Sequence, residues 1–317
     1  MDTLMIMLKN VLIFVLLAVP GYLLVRGKLL TAKESATLSK LLTNLGMPCL
    51  ILSGALDLDL TGELTKNIIV IGVLGVAFIL FMFFSTALFC RDKLPKTQGM
   101  MRFCAIFANN GFIGLPLIQA VFPGNAVILA YAIILNILNN VLMFTLGVYL
   151  VSGDKKAINL KKALLNPVLL AFVGGILLNL AGVKGVLPEL QTYANHFKGI
   201  VTPLSMLVLG MKLAEVPMKK LFTSRKMYYV SGLRLVLYPV LAAGVLLLTN
   251  LVPVLNLGTD GVLAFFLSYA MPVAGLASAF ADHHNGDGEN AVILTLGTTV
   301  LSVLTIPVLY WVLRLFV

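Results

Sequence analysis

Ten apolar runs fill the chain, at residues 4–25, 35–57, 67–90, 98–121, 126–151, 165–183, 190–211, 227–250, 258–280 and 289–316. Each is about 20 residues or more, the length a helix needs to cross a bilayer core. Polar residues collect between the runs, and no interval is long enough for a soluble domain. The pattern predicts an all-α integral membrane protein, ten transmembrane helices in a single domain over 1–317. The first run holds Pro20-Gly21, lacks a strongly basic start and is followed by Arg26, Lys28 and Lys33, which marks a retained helix rather than a cleaved leader.

Composition narrows the class. Apolar residues make up 60% of the chain and charged residues only 11%, where soluble chains carry about 25% charge. So few charges cannot cover a water-soluble core, which excludes a cytosolic enzyme, a secreted disulfide scaffold and a disordered chain. Cys49, Cys90 and Cys104 lie in or at the ends of apolar runs and read as buried thiols. The net charge of +10 is a matter of topology, and no nucleic-acid partner is expected. Four alternate connections carry Arg26, Lys28, Lys33; Arg91, Lys93, Lys96; Lys155, Lys156, Lys161, Lys162; and Lys212, Lys219, Lys220, Arg225, Lys226. That makes 15 basic residues against four (Lys9, Lys66, Lys184, Arg314) on the opposite side. By the positive-inside rule both termini are expected outside the cytoplasm, with the protein in the plasma (inner) membrane.

Helix-breaking residues recur in two sets. Gly21, Pro48 and Pro116 are spaced by 27 and 68, and Gly175, Pro203 and Pro272 by 28 and 69, with offsets of 154 to 156 between the sets. Five runs fall in each half, approximately 1–151 and 165–317. An odd number of spans per repeat turns the second copy upside down, the inverted-repeat architecture of many secondary transporters. Such proteins bind substrate near the midplane, where corresponding helices are interrupted. Here these are the fourth and ninth. The fourth carries Asn109-Asn110-Gly111-Phe112-Ile113-Gly114-Leu115-Pro116 and the ninth Met271-Pro272-Val273-Ala274. Pro116 is expected to push Leu115 toward an extended conformation, and Gly111 and Gly114 to permit close approach or positive φ. Two adjacent amides at membrane depth are costly unless paired or facing water. Pro-kinked packing helices are the plainer reading of the same residues.

Asn109 through Pro116 resembles the N-x-G-[FY]-[IM]-G-x-P segment of the auxin efflux carrier family, whose bacterial members include malate-permease-like carriers. Arg234-Leu235 with Pro239, and Glu289 through Thr298 with Ser302 and Pro307, are similar to further family segments. The resemblance spans essentially the whole chain, without the long central loop of many plant members. It implies two inverted five-helix repeats in which helices four and nine cross at their breaks. Runs 1, 2, 6 and 7 would form a scaffold and homodimer surface. Runs 3–5 and 8–10 would form a transport domain sliding in an elevator-like manner.

The expected substrate-binding residues are Asn109, Asn110, Gly111, Gly114, Pro116, Asn136, Asn140, Arg234, Met271, Pro272, Val273, Ala274, Thr295 and Thr298. Arg234 has two readings, an anchor for an anion or a side chain snorkelling to the inner face. Arg102, seven residues before Asn109, is placed on the same face and reads as snorkelling. Asn136 and Asn140 share a face of the fifth run, with Asn139 beside them; Thr295, Thr298, Thr299 and Ser302 form the corresponding face of the tenth. Interhelical hydrogen bonding is the alternative for each. Asp282, His283, His284, Asp287 and Glu289 lack calcium-loop spacing and read as a solvated loop, and His196 and Lys198 as interfacial. No Gly-x-Ser-Gly nucleophile with a helical His, and no clustered Asp pairs, support an intramembrane enzyme. The expected function is secondary transport of a small organic anion, a carboxylate above all, across the lipid bilayer. A channel or sensor on the same fold is the alternative. No cofactor is expected, and the coupling ion, proton or sodium, stays open.

Overall fold

The computed structural model describes residues 3–158, 161, 165–215 and 218–317; Lys162 of the third basic connection lies outside them. Among the described residues the chain is helical, apart from turns and one isolated antiparallel bridge between Ala108 and Val273. Five helices are long and apolar enough to cross a membrane: Gly62–Phe89, Ala126–Ser152, Pro188–Ala214, Arg225–Thr249 and Gly288–Leu313. Shorter apolar helices include Leu16–Arg26, Asn110–Val121 and Pro167–Leu180. The protein is a multi-pass, all-helical membrane protein.

In chain order the main helices are α1 (Thr3–Arg26), α2 (Ala32–Leu41), α3 (Met47–Leu56), α4 (Gly62–Phe89), α5 (Pro95–Ile106), α6 (Leu115–Val121), α7 (Ala126–Leu142) and α8 (Val148–Ser152). The second half holds α9 (Pro167–Leu180), α10 (Pro188–Lys198), α11 (Val201–Glu215), α12 (Arg225–Gly232), α13 (Tyr238–Thr249), α14 (Gly258–Ala270), α15 (Ala277–His283) and α16 (Gly288–Leu313). Helix α1 packs along α11, and α9 along α3; α4 packs on α7, and α12 on α16; α14 packs on α7, and α5 on α16.

Gly21 and Gly175 do not interrupt their helices, as their expected role as breakers required. Both lie inside continuous helices. Without a Cβ they let two backbones close. A Cβ on Gly21 would overlap the Leu207 carbonyl, and one on Gly175 would come within 2.7 Å of the Ala55 Cβ. Gly210, on the facing side of the α1–α11 contact, would likewise overlap the Ala18 carbonyl. Backbone cannot move aside as a flexible side chain can. Gly210→Ala is therefore expected to lower stability by about 2–4 kcal/mol, read as a fall in the thermal unfolding midpoint in detergent, while Gly174→Ala, with open space around it, leaves the midpoint nearly unchanged.

Three prolines are accommodated by wider turns. π-Helical segments at Leu42–Gly46, Asn110–Gly114 and Leu233–Leu237 each end two residues before a proline, Pro48, Pro116 and Pro239 respectively. A proline ring collides with the carbonyl four residues back and offers no N–H. An i to i−5 turn makes room for the ring there, as Leu115 N–H shows by donating to the Asn110 carbonyl. Pro48 thus leaves its run helical. Pro203 sits in the first turn of α11, just after a turn at Gly199-Ile200. Leu115 is helical (φ −60°, ψ −46°), not extended, because the wider turn before Pro116 relieves the ring's collision with the preceding backbone. Gly111 and Gly114 are absent from the positive-φ residues and serve close approach instead. At the chain's basic end, Lys226 and Asp92 pair at 2.7 Å, and this hydrogen bond holds the Asp92 carboxyl below its usual pKa.

Candidate functional site

Helix α5 stops at Ile106 because Phe107 is extended (φ −94°, ψ 124°) and Asn109 is also non-helical (φ −83°, ψ 53°). Helix α14 stops at Ala270 because Met271 is extended (φ −66°, ψ 148°) before Pro272. The two extended segments lie side by side. Asn109 N–H donates to the Pro272 carbonyl at 2.8 Å, and Ala274 N–H to the Phe107 carbonyl at 2.9 Å. Each break thus supplies hydrogen bonds the other lacks, which backbone at membrane depth requires.

Three side chains complete the pairing. Asn139 of α7 accepts from Ala108 N–H and donates to the Ala108 carbonyl, both at 3.2 Å. Thr298 of α16 accepts from Val273 N–H at 3.1 Å. Arg234, fully buried, donates from Nε to the Met271 carbonyl at 2.9 Å and from Nη1 to the Ile106 carbonyl at 3.0 Å. Both carbonyls belong to helix C-termini, where the aligned peptide dipoles leave negative partial charge. The guanidinium therefore neither snorkels nor lines a cavity. It holds two helix ends together. Arg102 also departs from its expected place: α5 ends before its register reaches Asn109, and Arg102 donates to the Phe83 carbonyl at 2.8 Å while lying over the Phe83 ring.

Two adjoining cavities open against the paired breaks. The smaller, about 170 Å³, is lined by Thr43, Met47, Asn109, Gly111, Asn136 and Asn140, among others that include Ala274. The larger, about 860 Å³, reaches from Asn109 and Gly275 past Ser205 and Thr295 to Lys40, Lys212, Asp282 and Glu289. Asn109, Phe112 and Gly275 border both. Among the described residues the Asn109 side-chain amide has no hydrogen-bond partner, and neither do buried Asn136 Nδ2 and Thr295 Oγ1. Asn140 donates to the Asn136 carbonyl at 2.9 Å. Of the expected site residues, Asn109, Gly111, Asn136, Asn140, Ala274 and Thr295 line a cavity. Asn110, Gly114, Pro116, Met271, Pro272, Val273, Arg234 and Thr298 line neither and are buried; Met271, Pro272, Val273, Arg234 and Thr298 take part in the pairing, while Asn110, Gly114 and Pro116 lie in the helical segment that follows it.

A profile described as a membrane transport protein matches residues 6–310. The chain belongs to this family of membrane transporters, the auxin efflux carrier family of the sequence resemblance. It is also 28% identical over 312 residues to an uncharacterized transporter of Methanothermobacter thermautotrophicus, the match covering 94% of each chain.

Within this transporter two residues carry more than their sequence signal suggested. Asn139 was visible only as a neighbour of Asn136 and Asn140, yet it alone of the three bonds the extended stretch after α5, at Ala108. Lys212, counted among loop charges, lies inside α11, half-buried, and its Nζ donates to the Gly275 carbonyl at 3.3 Å. Asp287 of the acidic loop caps α16 by accepting from Asn290 N–H at 3.0 Å, and it accepts from Thr97 at 2.5 Å.

Proposed function

We propose that this transporter is a secondary carrier for a small organic anion, a carboxylate above all, bound where the cavities meet the paired breaks. The observation that carries this reading is the Asn109 amide, open to both cavities and free of protein partners among the described residues, beside the backbone pairs Asn109–Pro272 and Ala274–Phe107. Asn109 also precedes the helical segment Asn110–Val121, whose N-terminal end carries the positive partial charge that suits an anion. Unpartnered donors such as Asn136 Nδ2 would be satisfied by a bound carboxylate.

Two inverted five-helix repeats, 1–151 and 165–317, account for the reciprocal packing of α1 on α11 and α9 on α3. In this reading runs 1, 2, 6 and 7 are the scaffold of a homodimer. Runs 3–5 and 8–10 move against it as an elevator. The cavities lie between those groups, since Thr43 and Ser205 face Asn109 and Gly275 across them. With both termini outside the cytoplasm of the plasma membrane, the end marked by Lys40 and Lys212 is cytoplasmic and the larger cavity faces inward.

Proteoliposome uptake of labelled dicarboxylates and aromatic acids, with and without Na⁺ and a proton gradient, tests the proposal. Asn109→Ala is expected to cut saturable uptake roughly ten-fold or more, since a site built to hydrogen-bond its ligand discriminates through those donors. Thermal stability should stay within about 1 kcal/mol, because no protein hydrogen bond is lost. Full uptake by Asn109→Ala, or flux that never saturates, would overturn the carrier reading, the latter in favour of a channel.

A further inference from the structure

We infer that Lys212 is the charge that receives the substrate's carboxylate, exchanging its bond to the Gly275 carbonyl for one to the anion; this rests on the reading of the cavities as an anion site. Four charged side chains line the larger cavity. Lys40, Asp282 and Glu289 are exposed, and exposed charges are screened by water and salt. Lys212 is the half-buried one, and the only one of the four whose head group touches the break, through Gly275 at 3.3 Å. No ion pair joins it to a carboxylate among the described residues.

The carbonyl it rests on is a weak holder. A neutral amide oxygen competes poorly with a carboxylate, whose hydrogen bond from an ammonium is charge-assisted on both sides and roughly twice as strong. The ammonium has three donors on a flexible four-carbon stem, so it can turn to an anion with little movement of α11. Gly275 also abuts Asn109: a Cβ there would sit 3.4 Å from Asn109 Nδ2. One carboxylate placed beside Gly275 would therefore meet the free amide of Asn109 and the ammonium of Lys212 together. The two donors come from different elements, one from the break and one from α11. Lys212 consequently ties these elements through the Gly275 carbonyl, and the anion takes over that tie when it binds.

The test measures binding to the full-length protein in detergent by calorimetry, with phenylacetate and succinate as probes and phenylacetamide and succinamide as their neutral counterparts. Wild type should prefer at least one acid over its amide by roughly ten-fold or more. Lys212→Gln should lose that preference to within about three-fold by weakening the acid alone, and Lys212→Arg should keep it. A merely structural lysine would weaken acid and amide alike. As a second readout on the unmutated protein, the bound acid, and not the amide, should shield Lys212 from amine acylation detected by mass spectrometry.

Acid preference preserved in Lys212→Gln, or Lys212 acylated equally with and without bound acid, overturns the assignment while leaving the anion site standing. Wild type that binds neither acid, or binds acid and amide alike, overturns the anion site and this assignment with it.

Discussion

Arg234→Met is expected to destabilise the protein by about 3–5 kcal/mol, the range for removing one partner from a buried charged contact. The cost comes from what the substitution leaves behind. Ile106 and Met271 present their carbonyls at the C-terminal ends of α5 and α14, and the guanidinium serves both at 2.9–3.0 Å. Methionine fills part of the volume and serves neither, so two acceptors stay buried without donors, each hydrogen bond to a charged group having been worth about 1.5–3 kcal/mol. Burying the guanidinium is itself costly, which keeps the total below the sum of the two. Arg234→Lys should recover about half, since a single ammonium lacks the planar fork that reaches two carbonyls at once. Thermal unfolding in detergent checks the order wild type, Lys, Met. The same variants separate support from substrate contact. If Arg234 only ties the helix ends, the folded fraction of Arg234→Lys transports with an unchanged KM; a KM raised roughly ten-fold would return Arg234 to the substrate.

Asn139→Leu should be the next most damaging change, at about 2–4 kcal/mol. The Asn139 amide is 3% exposed and pairs with both polar groups of the Ala108 peptide. Thr298→Val removes a single acceptor, the one serving Val273 N–H, while nearly keeping the shape, so its loss should be close to half as large. Asn136→Leu, one turn away on the same helix, is the control. Asn136 Nδ2 has no protein partner, and Asn136 Oδ1 accepts from an Asn140 amide that also bonds the Asn136 main-chain carbonyl, so stability should fall by no more than about 1 kcal/mol while uptake falls. Unfolding midpoints and initial uptake rates, measured on all three, should fall in opposite orders for Asn139→Leu and Asn136→Leu.

The contrast between these two asparagines shows what can be read from residues in order. Apolar run length pointed to a helical membrane protein, since the bilayer imposes a length that local sequence must meet, and five helices reach it among the described residues. Asn109 through Pro116 and Met271-Pro272 combine residues that regular helices avoid, and α5 and α14 end just before them. Which amide of Asn136, Asn139 and Asn140 reaches the break was not legible. One step along a helix turns a side chain by about 100°, and the direction of the neighbouring helix decides among them. Gly21 and Gly175 misled for a related reason: glycine weakens a helix and also lets two helices touch, and only the partner backbone tells which applies. Arg234 offered its depth but not its acceptors, which are main-chain carbonyls from two segments far apart in sequence. Lys212 looked like a loop charge because its run of apolar residues ends just before it.

The pairing of the two breaks has a consequence for how the chain is made. Phe107 carbonyl and Asn109 N–H have their partners on Ala274 and Pro272, which the ribosome reaches only after the whole first half has been synthesised. Until then the Phe107 carbonyl and Asn109 N–H lack these partners, which hydrocarbon cannot replace. Arg234, which ties the end of α5, also arrives late. The stretch after α5 therefore cannot complete its hydrogen bonding while the first half of the chain stands alone. The pairing closes only when the stretch after α14 is laid against the one after α5.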